Sequence, residues 1–524
     1  MPRRAGVTIP LFSIRPPAGR GWGVGEIPDL VPFASWAARA GFHVVQILPV
    51  NEPAGGQNSP YGARTAFALD PVYIALEDVE DFRAAGGEAA LPRELRARLD
   101  AARAAPSVAW DDVREVKDAA LGIAYRHFVK HELERGSSRA SAFEEFGRAE
   151  SDWLDDYALF AVIHDEQGSV EWQEWAPPLR YREPAALEAA RVRHAVRVDE
   201  RRYVQWIADQ QWHAARAEAA RQGVDLMGDL PFLVAGDSAD IWARAHEFRL
   251  DLRTGVPPDA FSEEGQDWGL PVFRWDVIAK GDFHWMRERS RRAAELFGMY
   301  RVDHVVGLYR TFYRPSSGPL NGPGKFTPDD QPTQIELGEA ILRILDGRDE
   351  RGGGAHRVIA EDLGVVPDFV RASLERLGIP GYRVLRWEKD LTVFRDPARW
   401  PALSVGTTGT HDTESLADWY DALDDAERRA FLEIPALAPL RARSPETFDE
   451  GVRDAILRTV YQSGSDLILL PFQDAFGARD RVNVPGTVNA ENWTYRMPMD
   501  LGALEADEPD ERRLAALSEE SGRK

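Results

Sequence analysis

There is no cysteine in the 524 residues. That excludes disulfide staples, thiolate zinc sites and a cysteine nucleophile together. No apolar run approaches the roughly 20 residues that a membrane-spanning helix needs. The opening stretch, residues 1–13, has two arginines but no long apolar segment behind them. No signal peptide is expected, and a cytoplasmic protein is the default. Positive charge is in deficit, with 64 Lys and Arg against 86 Asp and Glu and a formal net charge of −22. Phosphate backbones and anionic lipid surfaces both need a basic face, so neither nucleic acid nor a membrane is an expected partner. A phosphate-cradling G-x-x-x-x-G-K-S/T loop and a G-x-S-x-G nucleophile elbow are missing too. No internal repeat or low-complexity segment stands out.

What is present is a globular composition, 44% hydrophobic and 29% charged, on a chain long enough for a large core. Sixteen tryptophans are somewhat many. Such rings can stack on sugars, although most of them belong to cores.

Residues 7–14 and 43–50 read as buried strands. Between them Asp29–Ala40 has helical apolar spacing, with Gly41 as its C-terminal cap. Strand, helix, strand in that order is a parallel βαβ unit. From about residue 80 to 222 the chain turns Ala-, Glu- and Arg-rich and helical, and the one strand candidate nearby is Ala66–Leu76. We read this stretch as a mostly helical subdomain inserted into the fold. Strand signals resume at 224–234, 299–308, 356–364, 380–387, 403–412 and 466–477, with helical patterns between several of them. Eight strand candidates with intervening helices predict an α/β fold, a closed (β/α)8 TIM barrel. The barrel unit would span residues 1–505, broken by the insertion at about 80–222 and by a long polar loop at about 252–272. Loops of that length often serve as lids or binding loops. Residues 506–524 read as an acidic tail, helical or frayed.

Three of the strand candidates end in acids: Asp303, Glu361 and Asp412. Barrel catalytic groups come from the C-terminal ends of different strands. Arg301 and Asp303 are two apart along a strand and so share a face. A cation there keeps the carboxylate ionised, as a nucleophile needs. Taken alone, such a pair is more often a structural ion pair. Glu361 follows Val358, Ile359 and Ala360, and crowding by other carboxylates would raise its pKa, which suits a general acid. Two carboxyl groups about 5–5.5 Å apart are what retaining glycoside chemistry uses. His304 and His411 could donate to sugar hydroxyls, and Asp412 could grip hydroxyls and favour a distorted ring. Three acids at a barrel mouth equally fit Mg²⁺ or Ca²⁺. Acidic strand ends are also common in sugar-phosphate enzymes. Tyr61, in the glycine-rich loop 55–62, reads as a stacking group or as an ordinary loop tyrosine.

Several motifs then occur in order: Ser59-Pro-Tyr61, Gly228-Asp-Leu-Pro231, Asp237-Ser-Ala-Asp-Ile-Trp242, Gly255-Val-Pro-Pro-Asp259, Arg301-Val-Asp-His304, Ala360-Glu-Asp-Leu-Gly364, Gly409-Thr-His-Asp412 and Asn483-Val-Pro-Gly-Thr487. Together they resemble the 4-α-glucanotransferases (amylomaltases or disproportionating enzymes), relatives of the α-amylase barrels, from about residue 6 to about 497. The resemblance implies Asp303 as nucleophile, Glu361 as general acid/base and Asp412 as transition-state stabiliser. It implies that Arg301, His304 and His411 frame the reacting sugar, and that Tyr61, Asp229, Trp268 and Asn483 line the glucan groove. It implies no metal or organic cofactor. The partners it implies are maltooligosaccharides or α-1,4-glucans, with glucose as an acceptor. The chain departs from the family at Val305 and Val306, where an aromatic and an arginine are common. It departs again at Ala260, where a tyrosine is usual, and at Leu270, where an asparagine is usual. Those changes bear on acceptor and chain-length preference. The rival readings are an α-1,4-glucan hydrolase or divergent glycosyltransfer enzyme on the same site, and a non-catalytic glucan-binding protein.

Overall fold

The computed structural model describes residues 3–258, 265–319, 322–347 and 357–523. Eight parallel strands close into a barrel. They are β1 (Arg4–Thr8), β2 (Val44–Gln46), β3 (Asp225–Leu230), β4 (Met299–Val302), β5 (Val358–Ala360), β6 (Gly381–Val384), β7 (Ser404–Thr407) and β8 (Leu467–Pro471). Each pairs with its sequence neighbours, and β8 returns to β1 through the register Arg4↔Leu467 to Thr8↔Pro471. All eight strand candidates become barrel strands, but each is shorter than its apolar run. The first lies earlier than expected: β1 stops at Thr8, and Leu11–Ser13 turns into a 3-10 helix after Pro10. Ala66–Leu76 is not a strand. Asp70 caps a 3-10 turn at Pro71–Tyr73, accepting from the Val72 N–H at 3.1 Å.

Inside the barrel, Val44, Met227, Met299, Ile359, Tyr382, Val384, Val405, Leu467 and Leu469 pack as one cluster. Those side chains come from seven of the strands, in the layered way that makes such an interior a packed core rather than a pore. Outside it, Leu30–Arg39 is the expected first helix, and Gly41 follows with φ +81°, a left-handed turn that favours glycine.

Between β2 and β3 the chain is helical, including Trp110–Phe128, Ser151–Glu166 and Ala195–Arg221. The last of these lies against Leu30–Arg39 and β3. Its Trp212 Nε1–H donates to the Leu296 carbonyl at 2.7 Å. The apolar side chains of Trp110–Phe128 and Ala195–Arg221 join the same buried cluster as the helix before β2.

The long polar loop expected at 252–272 is mostly strand. Phe248–Val256 and Gln266–Phe273 form an antiparallel hairpin, extended by Thr311–Pro315 and Lys325–Thr327 into a four-stranded sheet. Near the other end of the chain, Leu501–Ala506 and Glu508–Glu520 are helices packed on Leu30–Arg39 rather than frayed tail. Beyond them Arg523 is buried at the N-terminal end of the barrel, donating to the carbonyls of Arg4, Tyr461, Ser463, Ser465 and Asp466. These donors stitch the β1–β8 seam. Among the described residues no helix is long and apolar enough to cross a membrane.

Candidate active site

The site is built at the C-terminal ends of the strands, where parallel alignment gathers residues distant in sequence. In the register of β3 with β4, Asp229 stands opposite Arg301. Arg301 Nη1 donates to both Asp229 oxygens at 2.7 Å. Its Nη2 lies 2.8 Å from Asp303 Oδ1 and 4.0 Å from Glu361 Oε2. One buried guanidinium therefore faces three carboxyl groups. Burial pushes the Asp229 carboxyl up, and Arg301 pulls it back. The Tyr61 hydroxyl donates to Asp229 Oδ2 at 2.8 Å and covers that pair.

The strand expected through residue 308 ends at Val302. Asp303 hangs one ladder bond beyond it, its N–H donating to the Leu230 carbonyl at 3.0 Å. His304 then turns with φ +44°. That turn aims the His304 backbone N–H at Glu361 Oε2, 2.8 Å away. Val305 and Val306 are buried and start a short helix, Val306–Tyr309, rather than extending the strand. Gly307 is needed by packing: a Cβ there would come within 2.6 Å of the Phe232 ring and 2.8 Å of His304 Cδ2. The His304 ring is wedged between Trp268 (4.7 Å) and Phe232 (5.7 Å), both edge-on. Burial lowers its pKa to about 4, so the imidazole is neutral at pH 7 and can both donate and accept.

Glu361 follows β5 directly, and its other oxygen accepts the Leu363 N–H at 3.1 Å. Burial pushes its carboxyl up to about 8, against the pull of Arg301 and with a further push from Asp303. The crowding expected from sequence is thus present, and loss of water is the larger cause. The neighbouring Asp362 turns inward to accept the Tyr382 N–H at 2.7 Å.

Asp412 lies five residues past β7, not at the end of a longer strand. Asn483 Nδ2 donates to its Oδ1 at 2.6 Å, and Arg481 Nη2 donates to its carbonyl at 2.7 Å. His411 stacks on Tyr61 at 5.3 Å and 19°. Through that contact the Asp412 side of the site meets the Arg301 side. Trp268 comes from the hairpin strand Gln266–Phe273, and Leu270 packs on the same core cluster two residues further on. Ala260 lies outside the described residues. Among the described residues no group of three or more His, Asp or Glu is arranged to hold a metal ion.

The structure brings all ten sequence-selected residues into one connected network. It adds several that sequence reading passed over. Trp493 packs against both Tyr61 and His411 at 5.9 Å. Tyr382 on β6 belongs to the barrel-interior cluster, and its hydroxyl accepts from Gln46 Nε2 at 3.3 Å. Arg481 and Arg386 bond the loop that carries Asp412. Only Arg386 left a trace in sequence, as a charge near the end of the strand candidate at 380–387.

One guanidinium thus brings two carboxyl groups close together, and burial raises the pKa of one of them, a combination that glycoside chemistry can use. The family model for 4-alpha-glucanotransferase matches residues 9–501. The chain belongs to the 4-alpha-glucanotransferase family. The 4-alpha-glucanotransferase of Thermus thermophilus is 33% identical over 511 residues, covering 95% of each chain. That of Chlamydia pneumoniae is 31% identical over 514 residues, 95% of this chain and 92% of that protein. Among solved structures, an amylomaltase from Streptococcus agalactiae in complex with acarbose overlays with a TM-score of 0.83 at 24% identity, covering 99% of each chain. That overlay shows the same fold. The chain is thus a glycosyl-transferring enzyme of this family, acting on α-glucans with retention.

Proposed function

We propose that the enzyme moves a segment of an α-1,4-glucan or maltooligosaccharide onto the 4-hydroxyl of glucose or a second glucan, through a covalent intermediate on Asp303. The Asp303 carboxylate attacks the anomeric carbon. The bond to the leaving oxygen breaks, and Glu361 gives that oxygen its proton. The acceptor then enters. Glu361 takes the proton from its 4-hydroxyl, which attacks the same carbon and frees Asp303. Two inversions give net retention. Asp412, held by Asn483, grips hydroxyls of the reacting sugar as its ring flattens. Arg301, His304 and His411 frame that sugar, while Tyr61, Trp268 and the pair of Asp229 with Arg301 shape the groove around it. Transfer outruns hydrolysis when the acceptor displaces water from the groove. The setting we propose is the cytoplasm, with free glucans rather than nucleic acid or membranes as partners, in keeping with the net charge of −22.

The observation that carries this reading is the single Arg301 nitrogen 2.8 Å from Asp303 and 4.0 Å from Glu361. It supports a nucleophile and an acid close enough to flank one anomeric carbon, on opposite faces of the sugar ring. The test is incubation with maltotriose alone, with products resolved by chain length. A ladder of longer and shorter oligomers with constant reducing ends is expected. Glucose and maltose with rising reducing ends would mean a hydrolase. Asp303→Asn should stop turnover yet still bind maltooligosaccharide, and substantial residual transfer would remove Asp303 from the nucleophile role.

A further inference from the structure

The loop from Thr408 to Ser415 presents His411 and Asp412. It leaves β7 and ends at the helix Leu416–Ala422. A small pocket of about 20 Å³ lies against it, lined by Thr410, His411 and Thr413 of the loop and by Thr8, Gln473 and Val482. Two buried charges flank the loop. Arg386 stands just past β6, and Asp474 lies in the helix Phe472–Phe476 after β8. Strands β6 and β8 are the two neighbours of β7 in the barrel.

Each charge grips both ends of the loop. Arg386 Nε donates to the Thr408 carbonyl at 3.0 Å, and its Nη1 donates to the Glu414 carbonyl at 3.0 Å. The same Nη1 pairs with the Glu414 carboxylate at 3.1 Å. Asp474 accepts from the Thr408 hydroxyl at 2.6 Å and from the Leu416 N–H at 2.7 Å. The Arg386 guanidinium rests over the Trp419 ring at 5.4 Å, which fixes its plane. Burial works against both charges, lowering the Arg386 pKa and raising that of Asp474, and each partly offsets this for the other. A pair of apolar side chains would fill this space at less desolvation cost. What they would lose is the grip on Thr408, Glu414 and Leu416.

We propose that Arg386, together with Asp474, is a positioning residue for the transfer reaction, acting through Asp412 by pinning the two ends of its loop. The proposal rests on the role given to Asp412 above. Arg386 does not touch the sugar. It keeps the Asp412 carboxylate and the His411 ring registered against Asn483 and Tyr61. Displacement of a catalytic group by about 1 Å can cost about a hundredfold in rate.

The experiment is a double-mutant cycle between Arg386→Met and Asp412→Asn. Transfer is followed from a maltosyl fluoride donor, whose good leaving group keeps the slow variants measurable. Thermal melts run alongside. Arg386→Met should lower kcat by about 10- to 100-fold while KM stays within about twofold. In the Asp412→Asn background the same change should cost less than about twofold, because residues acting as one unit are not additive. Arg386→Lys should recover part of the rate. If Arg386→Met alone does not fold, Arg386→Met/Asp474→Asn removes both charges together and carries the same cycle. A folded Arg386→Met with unchanged kcat overturns the proposal, as does an equal loss in both backgrounds. If Asp412→Asn alone keeps full activity, the catalytic reading of Asp412 falls, and the proposal falls with it.

Discussion

Replacing Asp303 by asparagine should lower the pKa of Glu361. Burial holds that carboxyl at about 8, and the charge of Asp303 adds to the push. At a separation of about 5.5 Å and an effective dielectric of about 20, two like charges repel by about 3 kcal/mol, or about two pK units. The Arg301 guanidinium pulls on Glu361 in both forms and so leaves this difference unchanged. The same loss of charge occurs during turnover, when Asp303 is esterified by the sugar. Glu361 is then easier to ionise just when it must become a base. The assay is an infrared titration of the protonated carboxyl band that disappears in Glu361→Gln. The native enzyme should titrate near 8 and Asp303→Asn about two units lower. The sign follows for the rate as well: kcat/KM falls as pH rises through about 8, because the acid form is lost. A midpoint unchanged or raised in Asp303→Asn would refute the coupling. A native midpoint in the ordinary glutamate range would refute the burial argument itself.

Gly307→Ala drives a methyl group into the Phe232 ring and His304. It should cost about 1–3 kcal/mol of stability, read by denaturant melts, and lower kcat by moving the His304 N–H off Glu361. Normal activity would mean that the turn tolerates the shift. Arg523→Met removes the donors across the β1–β8 seam and should cost about 3 kcal/mol in the same melts. Its kcat should be native, since the seam lies at the far end of the barrel from the site. A changed kcat would contradict that separation.

The barrel strands were readable because strands buried on both faces appear as short apolar runs. Their ends were not. The run at 299–308 continues past the ladder because Val305 and Val306 are buried in the turn that follows. The hairpin at 248–273 did leave a signal, the alternation Phe248, Leu250, Leu252 with charges between. Pro257 and Pro258 overshadowed it. In the site, spacing paired Arg301 with Asp303, and that pair forms. Spacing could not show that β3 sets Asp229 opposite Arg301 and gives it the closer, two-pronged bond. Trp493, Arg481 and Asp474 arrive from separate loops and helices, so no local pattern announces them.

The seam between β1 and β8 also bears on how the chain is made. The bond from Arg3 to the Ser463 carbonyl joins residues 460 positions apart. Translation delivers β1 early and its partner β8 very late. During that interval β1 has one unpaired edge, the kind of surface that recruits stray strands. Pairings this distant also form slowly. The closure that leaves the finished barrel without an edge therefore leaves the nascent chain with one for most of its time on the ribosome.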